Sequence, residues 1–292
     1  MLISVIICTY NRSSDLLTLL RNLEQLEVPP GIEREFLVID NNSTDDTRTV
    51  CESFVQKNSG LYRYLFEGRQ GKSFALNTGI RNARGEILAF TDDDCIPDRG
   101  WLAAIAREFS ADPALTVLGG RVELFNASHK PYTILTRKER IVVSTATEIL
   151  QTAHIIGCNM AIHRRALAAV DGFDPALGPA TKTLSSEDTD FLYMIFRKQF
   201  LMVYSPDVLV YHNHGRTTDA EIEALKRAYF VGRGAVYCKH CGDKAVLKLA
   251  YWALRSSLIN VLRSPFSATT FKKEWGYVSS LVRGAYYRLS SG

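Results

Sequence analysis

Three adjacent carboxylates, Asp92, Asp93 and Asp94, directly follow an apolar segment that ends at Phe90. Neighbouring carboxylates repel one another unless a cation or hydrogen-bond donors neutralise them. Alternate residues of an extended segment point the same way, so Asp92 and Asp94 can share one target. Mg²⁺ and Mn²⁺ prefer carboxylate oxygens and often bridge them to substrate phosphates. On this motif alone, a metal site and an acidic turn that caps the next helix are equally open.

A second acidic pair, Glu187 and Asp188, lies near the start of a predicted helix. Ser185 and Asp188 have the spacing of a capping box, which offers a purely structural explanation. The chemical alternative is a general base that takes the proton of an attacking hydroxyl. His212 and His214 follow a strand-like segment at a spacing that turns both to one side, where metal ligation or phosphate contact competes with a polar strand end.

Polar residues also end the two earliest predicted strands. The segment Thr9–Arg12 follows the first strand, and Asp40 ends the second. Asp40 is suited to accept hydrogen bonds from a ribose or a base, or to form a turn with Asn41 and Asn42. The first turn reads TYNRSS and contains no glycine. A dinucleotide-binding unit needs GxGxxG there, which disfavours a Rossmann dehydrogenase.

Strand and helix alternate through the first 95 residues, which predicts a doubly wound parallel sheet. Ligands of such sheets bind beyond the carboxyl ends of the strands, so the polar residues above are expected in one cleft. In the second half the predicted strands cover 117–124, 156–163 and 201–212, and the predicted helices cover 164–170 and 187–198. The chain beyond residue 217 reads as helical.

Composition is typical of a globular protein, with 46% apolar and 23% charged residues among 292. No uninterrupted apolar run approaches the ~18 residues of a membrane span, and the first residues lack a signal-peptide pattern, so we expect a cytoplasmic protein. The six cysteines are expected to be reduced. Cys238 and Cys241 form a CxxC, but no second pair completes a zinc site.

Charge is distributed unevenly along the chain. Residues 224–292 contain 12 Lys or Arg and 2 Asp or Glu, whereas the preceding part has a net charge of −6. The segment 245–262 has apolar residues at helical spacing, and its two charged residues, Lys248 and Arg255, lie seven positions apart on one helix face. These features suggest helices that bind an anionic membrane surface, at the inner face of the plasma membrane. The alternative is an apolar face that packs on the catalytic domain or on a second subunit.

Six segments between residues 3 and 215 together resemble the family 2 glycosyltransferases: SVIICTYNR, FLVIDNNSTDDT, GKSFALNTGIRNARGEILAFTDDD, GCNMAIHRRALAAVDGFD, SSEDTDF and VLVYHNH. The resemblance implies a GT-A fold, an α/β fold with a Rossmann-like, mostly parallel sheet flanked by helices. It implies a catalytic domain at 1–216, with a nucleotide-binding half at 1–98 and an acceptor half at 99–216. Residues 217–292 are predicted to form a basic helical C-terminal extension.

The same resemblance implies an inverting transfer from a nucleotide sugar, most often a UDP-sugar, to an acceptor hydroxyl. It implies Mn²⁺ or Mg²⁺ held by Asp94 with Asp92 and His212, and a general base supplied by Asp188 of the Glu187-Asp188 pair. The donor-binding residues that the resemblance implies are Thr9, Tyr10, Asn11, Arg12, Asp40, Asp92 and Asp93, and we predict further donor contacts for Asn42, Lys72 and Asn159. For Lys72 a surface position, and for Asn159 a satisfied turn, are the structural alternatives.

Two other functions stay open. A nucleotidyltransferase shares the α/β architecture and the metal, but normally needs a glycine- and lysine-rich phosphate loop near the first strand. A GT-A binding protein without activity is the other, and the intact Asp94 and Asp188 disfavour it. The expected partners are a nucleotide sugar and a carbohydrate or lipid-linked acceptor, in polysaccharide or glycolipid biosynthesis, and no nucleic acid.

Overall fold

Four parallel strands form the N-terminal part of a mixed sheet in this computed structural model, which describes residues 1–58, 60–264 and 267–290. They are β1 Leu2–Thr9, β2 Glu33–Asp40, β3 Tyr62–Phe66 and β4 Ile87–Asp92, in the spatial order β3-β2-β1-β4. Their central residues are rich in Ile, Val and Leu and are almost fully buried, because helices cover both faces of the sheet. The predicted parallel arrangement of these strands is confirmed.

The helices that alternate with these strands are α1 Ser13–Leu23, α2 Thr47–Lys57 and α3 Lys72–Asn82. α1 buries Leu16, Leu19, Leu20 and Leu23, which recur at helical spacing. α3 lies close to the sheet at Gly79, where a Cβ atom would come within 2.6 Å of Ile6 Cγ2. The predicted βαβ alternation is therefore observed, and it carries the polar strand ends to one edge.

The second half completes the sheet with strands of both directions. The elements are β5 Cys95–Pro97, α4 Trp101–Ala111, β6 Leu115–Leu124, β7 Ile141–Val142, α5 Ala146–Leu150, β8 Asn159–His163, α6 Glu187–Phe196 and β9 Leu201–His212. β8 runs antiparallel to β4 and β6, β9 runs parallel to β6, and β5 pairs with the end of β9.

Two predicted elements of this half differ from the structure. The strand predicted over 156–163 begins only at Asn159, because the preceding residues form a turn. The helix predicted over 164–170 is a short 3₁₀ helix at Arg164–Ala168. The chain soon reaches Gly172, whose φ of 84° is incompatible with a continuing helix.

Three helices form the C-terminal region: α7 Asp219–Lys239, α8 Lys244–Arg263 and α9 Ala268–Leu289. α7 and α9 approach closely at Gly234 and Gly284, where an added Cβ atom would overlap the carbonyl oxygen of Leu281 or Val231 on the facing helix. The predicted helical C-terminal region is confirmed, and α7 is part of the folded body.

α8 differs from α7 in its burial. By length and composition it is the one helix among the described residues that satisfies the requirements of a membrane span, yet only 11% of its most apolar window is buried. Its apolar sequence is not an uninterrupted run, because Lys248 and Arg255 lie within it, but the helix as a whole is apolar enough for such a span by composition.

Candidate active site

A cleft of about 600 Å³ opens at the carboxyl ends of β1 and β4, where a doubly wound sheet normally binds its ligand. One wall, which we call the donor wall after the role predicted for its residues, consists of side chains at or just after the ends of β1, β4 and β9: Thr9, Tyr10, Arg12, Asp92, Asp93, Asp94 and His212. The other wall, the base wall, contains Glu187 and Asp188 at the start of α6. α7 adds Tyr229, Arg233 and Tyr237. The cleft thus joins the carboxylate groups that lie 95 residues apart in the sequence.

Asp94 is the centre of the donor wall. One of its oxygens accepts a hydrogen bond from Arg12 Nη1 at 2.7 Å, and the other lies 3.3 Å from His212 Nε2. Sheet pairing explains this contact, because Cys95 of β5 is the antiparallel partner of His212 on β9. Arg12 also bonds Asp93 at 3.1 Å, so one guanidinium contacts two of the three adjacent carboxylates.

The protonation states of this cluster follow from its contacts. Burial would raise the pKa of Asp94, but the hydrogen bond from His212 and the charges of His212 and Arg12 hold that pKa well below its usual range. Burial would lower the pKa of His212, but the hydrogen bond with Asp94 and nearby negative charge raise it to about 9. An ionised Asp94 therefore faces the cleft across the neutral pH range.

Asp94 and His212 form a candidate cation site. Their ligand atoms and the Cys95 sulfur lie within 4.8 Å of one another. Burial raises the pKa of the Cys95 thiol well above its usual value, which leaves it protonated and unsuited to a hard cation. A carboxylate fits Mn²⁺ or Mg²⁺, and the His212 imidazole could join it once the cation has displaced its proton, with phosphate oxygens and water for the other positions.

Asp92, the predicted third metal ligand, makes a different contact. Its Oδ1 lies 2.6 Å from Lys72 Nζ, and Lys72 also lies 3.9 Å from Glu187 Oε1. Burial would lower the pKa of Lys72, but the charges of Asp92 and Glu187 raise it well above the usual value. Lys72 is thus a cation in the cleft between the two walls. Asp92 forms an ion pair with Lys72 and does not join Asp94 in the candidate cation site.

The base wall begins in a strained segment. Ala180, Leu184 and Ser186 line the cleft with φ values of 66°, 68° and 74°, which non-glycine residues seldom adopt. Ser186 precedes α6 without a side-chain capping bond, so the suggested capping box does not form. Asp188 is held instead by backbone N–H groups, from Gly157 at 3.0 Å and from Thr189 at 2.7 Å.

Glu187 differs from its neighbour Asp188 in burial. Its side chain is almost fully enclosed, whereas Asp188 is half-buried and faces the cleft. Burial, together with the charge of Asp188, raises the pKa of Glu187 to about 7 although Lys72 opposes the shift. Asp188 is therefore the more accessible carboxylate of the pair.

The C-terminal helix α7 supports the base wall. Asp190 is fully buried in α6 and accepts hydrogen bonds from Lys239, the last residue of α7, and from the adjacent His240, both at 2.7 Å. Ser185 donates to the carbonyl of Ala228 at 3.1 Å. His240 lies between the two cysteines of the CxxC, and its contact with Asp190 gives it a structural role that involves no metal. Sequence reasoning missed this support, although a buried acid in SSEDTDF requires a basic partner somewhere in the chain.

Asn11, Asp40 and Asn42, predicted as donor contacts, form the turns beside the cleft rather than its lining. Asp40 accepts hydrogen bonds from Tyr64 Oη at 2.9 Å and from the Ser43 N–H at 2.8 Å. The lining residue of this region is Asn41, which the sequence suggested only as a turn former. Its amide binds the Gly71 N–H and the Arg69 carbonyl and fixes the start of α3.

Asn159, also predicted as a donor contact, has a structural role. Its side chain is buried and accepts from Trp101 Nε1 at 2.9 Å. It donates to the carbonyls of Arg121 and Val208 at 2.8 and 2.9 Å. These three bonds use the hydrogen-bonding capacity of the amide, and Asn159 does not line the cleft. The satisfied-turn alternative therefore describes this residue better.

Several known proteins are similar to this chain in sequence. The chain is 35% identical to the glycosyltransferase AglE of Haloferax volcanii over 121 residues, which cover 41% of this chain and 39% of that protein. It is 24% identical to the pre-mycofactocin glycosyltransferase of Mycobacterium tuberculosis over 267 residues, covering 88% and 52%. It is 25% identical to the succinoglycan biosynthesis protein ExoM of Rhizobium meliloti over 272 residues, covering 84% of each. The chain thus spans about half or less of the first two relatives.

Solved structures share the fold. The mannosyltransferase PcManGT of Pyrobaculum calidifontis, in complex with GDP-Man and Mn²⁺, aligns with a TM-score of 0.64 at 20% identity, covering 99% of this chain and 87% of that one. Residues 1–349 of S. aureus TarS align with a TM-score of 0.63 at 18% identity, covering 100% and 83%. The model of the family described as glycosyl transferase family 2 matches residues 4–170. This chain belongs to glycosyl transferase family 2 and has its GT-A fold.

Proposed function

We propose that this protein is an inverting glycosyltransferase that moves a sugar from a nucleotide-sugar donor to an acceptor hydroxyl. The observation that carries the proposal is the pairing of two unlike walls in one cleft. The donor wall has the ionised Asp94 with His212, and the base wall has an accessible carboxylate at Asp188. Both features are required when a diphosphate leaves one face of a sugar while a hydroxyl attacks the other.

The donor wall is suited to a nucleoside diphosphate. A divalent cation, Mn²⁺ or Mg²⁺, held by Asp94 and His212 would neutralise charge on the departing diphosphate. Arg12 and Lys72 add two cationic side chains to the same cleft. Both are paired with carboxylates here, and an arriving diphosphate offers them a further anionic partner. The GDP-Man of PcManGT and the UDP-GlcNAc bound by TarS support a nucleotide-sugar donor, and we propose UDP as the carrier.

Asp188 is the proposed general base. Two backbone N–H groups hold its carboxylate, so it can take the acceptor proton without moving first. Transfer with the base opposite the leaving group inverts the anomeric carbon. Glu187 contacts Lys72 and is the proposed positioning residue between the two walls.

Aromatic side chains favour a carbohydrate acceptor. Tyr132, Tyr229 and Tyr237 line the cleft, and their rings suit the apolar faces of sugars while their hydroxyls suit sugar hydroxyls. The name of ExoM, a succinoglycan biosynthesis protein, and that of the pre-mycofactocin glycosyltransferase support a place in polysaccharide or glycoconjugate biosynthesis. We propose a carbohydrate or lipid-linked acceptor.

Product analysis tests this function. The protein is incubated with UDP- and GDP-sugars, Mn²⁺ and a panel of sugar acceptors, and the released nucleotide is identified. A glycosyltransferase releases nucleoside diphosphate in an Asp94-dependent manner. Release of pyrophosphate from nucleoside triphosphate and sugar phosphate instead would identify a nucleotidyltransferase, and donor binding without any release would identify a binding protein.

A further inference from the structure

Exposed apolar side chains are concentrated on the last two helices. Of the sixteen large hydrophobic residues that are exposed in the described part of the chain, eleven belong to α8 or α9. On α8 they include Leu247, Tyr251, Leu254, Leu258 and Leu262, which recur every three or four residues. Residues at this spacing lie on one side of a helix, so α8 presents a continuous apolar stripe to its surroundings.

α9 has the same organisation. Phe271, Trp275, Val282, Tyr286 and Leu289 are exposed and lie on one side of that helix. The opposite side buries Leu281 and Gly284 against α7. These ten residues of α8 and α9 form what we call the α8–α9 surface. An isolated exposed hydrophobic residue is ordinary, but two stripes of this length mark an interaction site.

Charge identifies the kind of partner. Lys248 and Arg255 flank the stripe of α8, and Lys272 and Arg283 flank the stripe of α9; all four are exposed. The two acidic residues beyond position 224 are engaged in hydrogen bonds within the protein, Asp243 with Tyr193 and Glu274 with Asn260. A second copy seated on this basic surface would bring like charges together. An anionic lipid headgroup layer supplies both opposite charge and an apolar interior.

The attachment of α8 argues for a helix that lies on the bilayer. Val246 and Leu249 are buried in the protein core, and Asp243 at its start bonds Tyr193 of α6 at 2.6 Å. Lys248 and Arg255 are exposed within the helix, where a bilayer centre would be unfavourable for their charges. Trp275, Tyr251 and Tyr286 are aromatic residues of the type enriched at the membrane–water boundary.

We propose that the α8–α9 surface binds the headgroup region of an anionic membrane, with the apolar stripes inserted and the basic residues on the phosphates. α7 joins this surface to the cleft, since it packs on α9 and lines the cleft with Tyr229 and Arg233. Membrane binding would then hold the active cleft near a lipid-linked acceptor. The proposal concerns binding and does not depend on turnover.

Vesicle flotation of the full chain tests it. Vesicles of phosphatidylcholine alone are compared with vesicles that also contain phosphatidylglycerol, at low and high salt. We expect flotation with the anionic vesicles that is lost at high salt, and at least ~10-fold weaker binding to neutral vesicles. The variants Leu258→Glu and Trp275→Glu should each weaken binding about 10-fold or more. The matched control Val142→Glu changes an equally exposed apolar residue on β7 and should bind normally.

Folding and self-association are checked on the same samples. The substituted side chains are exposed, so the melting temperature should stay close to that of the parent protein, and the charge-reversal variant Lys248→Glu provides a second test that leaves the apolar stripes intact. The proposal is overturned if the full chain does not float with anionic vesicles, or if the stripe variants float as well as the control. A dimer that Leu258→Glu dissociates, without any vesicle binding, would assign the surface to a second copy.

Discussion

The two walls of the cleft are built in different ways. The donor wall consists of residues at the ends of β1, β4 and β9, and its central contacts, Arg12 and His212 to Asp94, rest on strand pairing. The base wall stands on the first turn of α6, which follows a segment with several left-handed residues. Its support comes from the C-terminal helices, through Asp190 with Lys239 and His240.

The two walls therefore depend on different parts of the chain. Substitutions in the sheet are expected to weaken donor binding. Substitutions in α7 are expected to displace Asp188 and lower turnover without changing donor affinity. The C-terminal region consequently has two separate roles. α7 supports the base wall, and the α8–α9 surface is exposed to the surroundings.

The largest expected effect is on the donor wall. Asp94→Ala removes the carboxylate that accepts from Arg12 and lies beside His212, so charge on the leaving diphosphate is no longer neutralised. We expect turnover to fall by on the order of 10³-fold or more. Excess EDTA should abolish turnover of the parent protein, and added Mn²⁺ should restore it. Full turnover in EDTA would refute the cation site.

The next largest effect should separate the two acids of the base wall. Asp188→Asn is nearly isosteric and should reduce turnover by ~10²–10⁴-fold, the usual contribution of a general base. Glu187→Gln should reduce it less, because Glu187 contacts Lys72 and is mostly enclosed. Steady-state rates at saturating donor measure both. Near-normal turnover of Asp188→Asn with an inactive Glu187→Gln would move the role of base to Glu187.

A smaller effect should follow from a change in α7 far from the reacting groups. At Gly232 an added Cβ atom would lie 2.6 Å from the carbonyl oxygen of Ser185, two residues before Glu187. Gly232→Ala should therefore lower the free energy of unfolding by about 1–3 kcal/mol and reduce turnover.

Gly276 of α9 provides the matched control. A Cβ atom there meets only Arg227 Nε, at an ordinary 3.8 Å, so Gly276→Ala should be neutral or raise the free energy of unfolding by up to ~1 kcal/mol. Urea unfolding with parallel rate measurements compares the pair. Equal effects of the two substitutions would show that α7 does not support the base wall.

The smallest expected effect is a pH dependence of stability. The pKa of Glu187 is raised from 4.5 to about 7 in the folded protein, so its contribution to stability is complete below pH 4.5 and is lost as pH rises through 7. Glu187→Gln removes this loss, and its free energy of unfolding should improve relative to the parent by about 1–3 kcal/mol between pH 5 and pH 8. The exposed Glu33→Gln should show no such trend.

Local sequence signals predicted the parallel half of the sheet and most of the donor wall. Apolar strands with polar ends put Thr9, Arg12 and Asp94 at one edge, because parallel strands end together. The same signals could not show that Asp92 and Asp94 have different partners. The partner of Asp92 is Lys72, which lies at the start of α3, far from Asp92 in the sequence. The hydrogen bonds of Asn159 likewise join β8 to α4 and β9, and such long-range partners leave no mark in a short motif.

The C-terminal region was predicted least well. The charge count gave one description to all of residues 224–292. In the structure, α7 and one side of α9 are packed together at Gly234 and Gly284, whereas most of α8 and the other side of α9 are exposed. Small residues that permit helix contact are weak signals in sequence, because glycine is equally common in turns. The role of α7 in the cleft therefore emerged only from the folded arrangement.

Donor affinity of two variants tests the two-wall account most directly. Binding of a nucleotide sugar in the presence of Mn²⁺ is measured by calorimetry for Asp94→Ala and Asp188→Asn, beside turnover. The account predicts that Asp94→Ala loses both donor binding and turnover, whereas Asp188→Asn keeps donor affinity within a few-fold and loses turnover alone. Equal loss of donor affinity in the two variants, or normal donor affinity in Asp94→Ala, would contradict it.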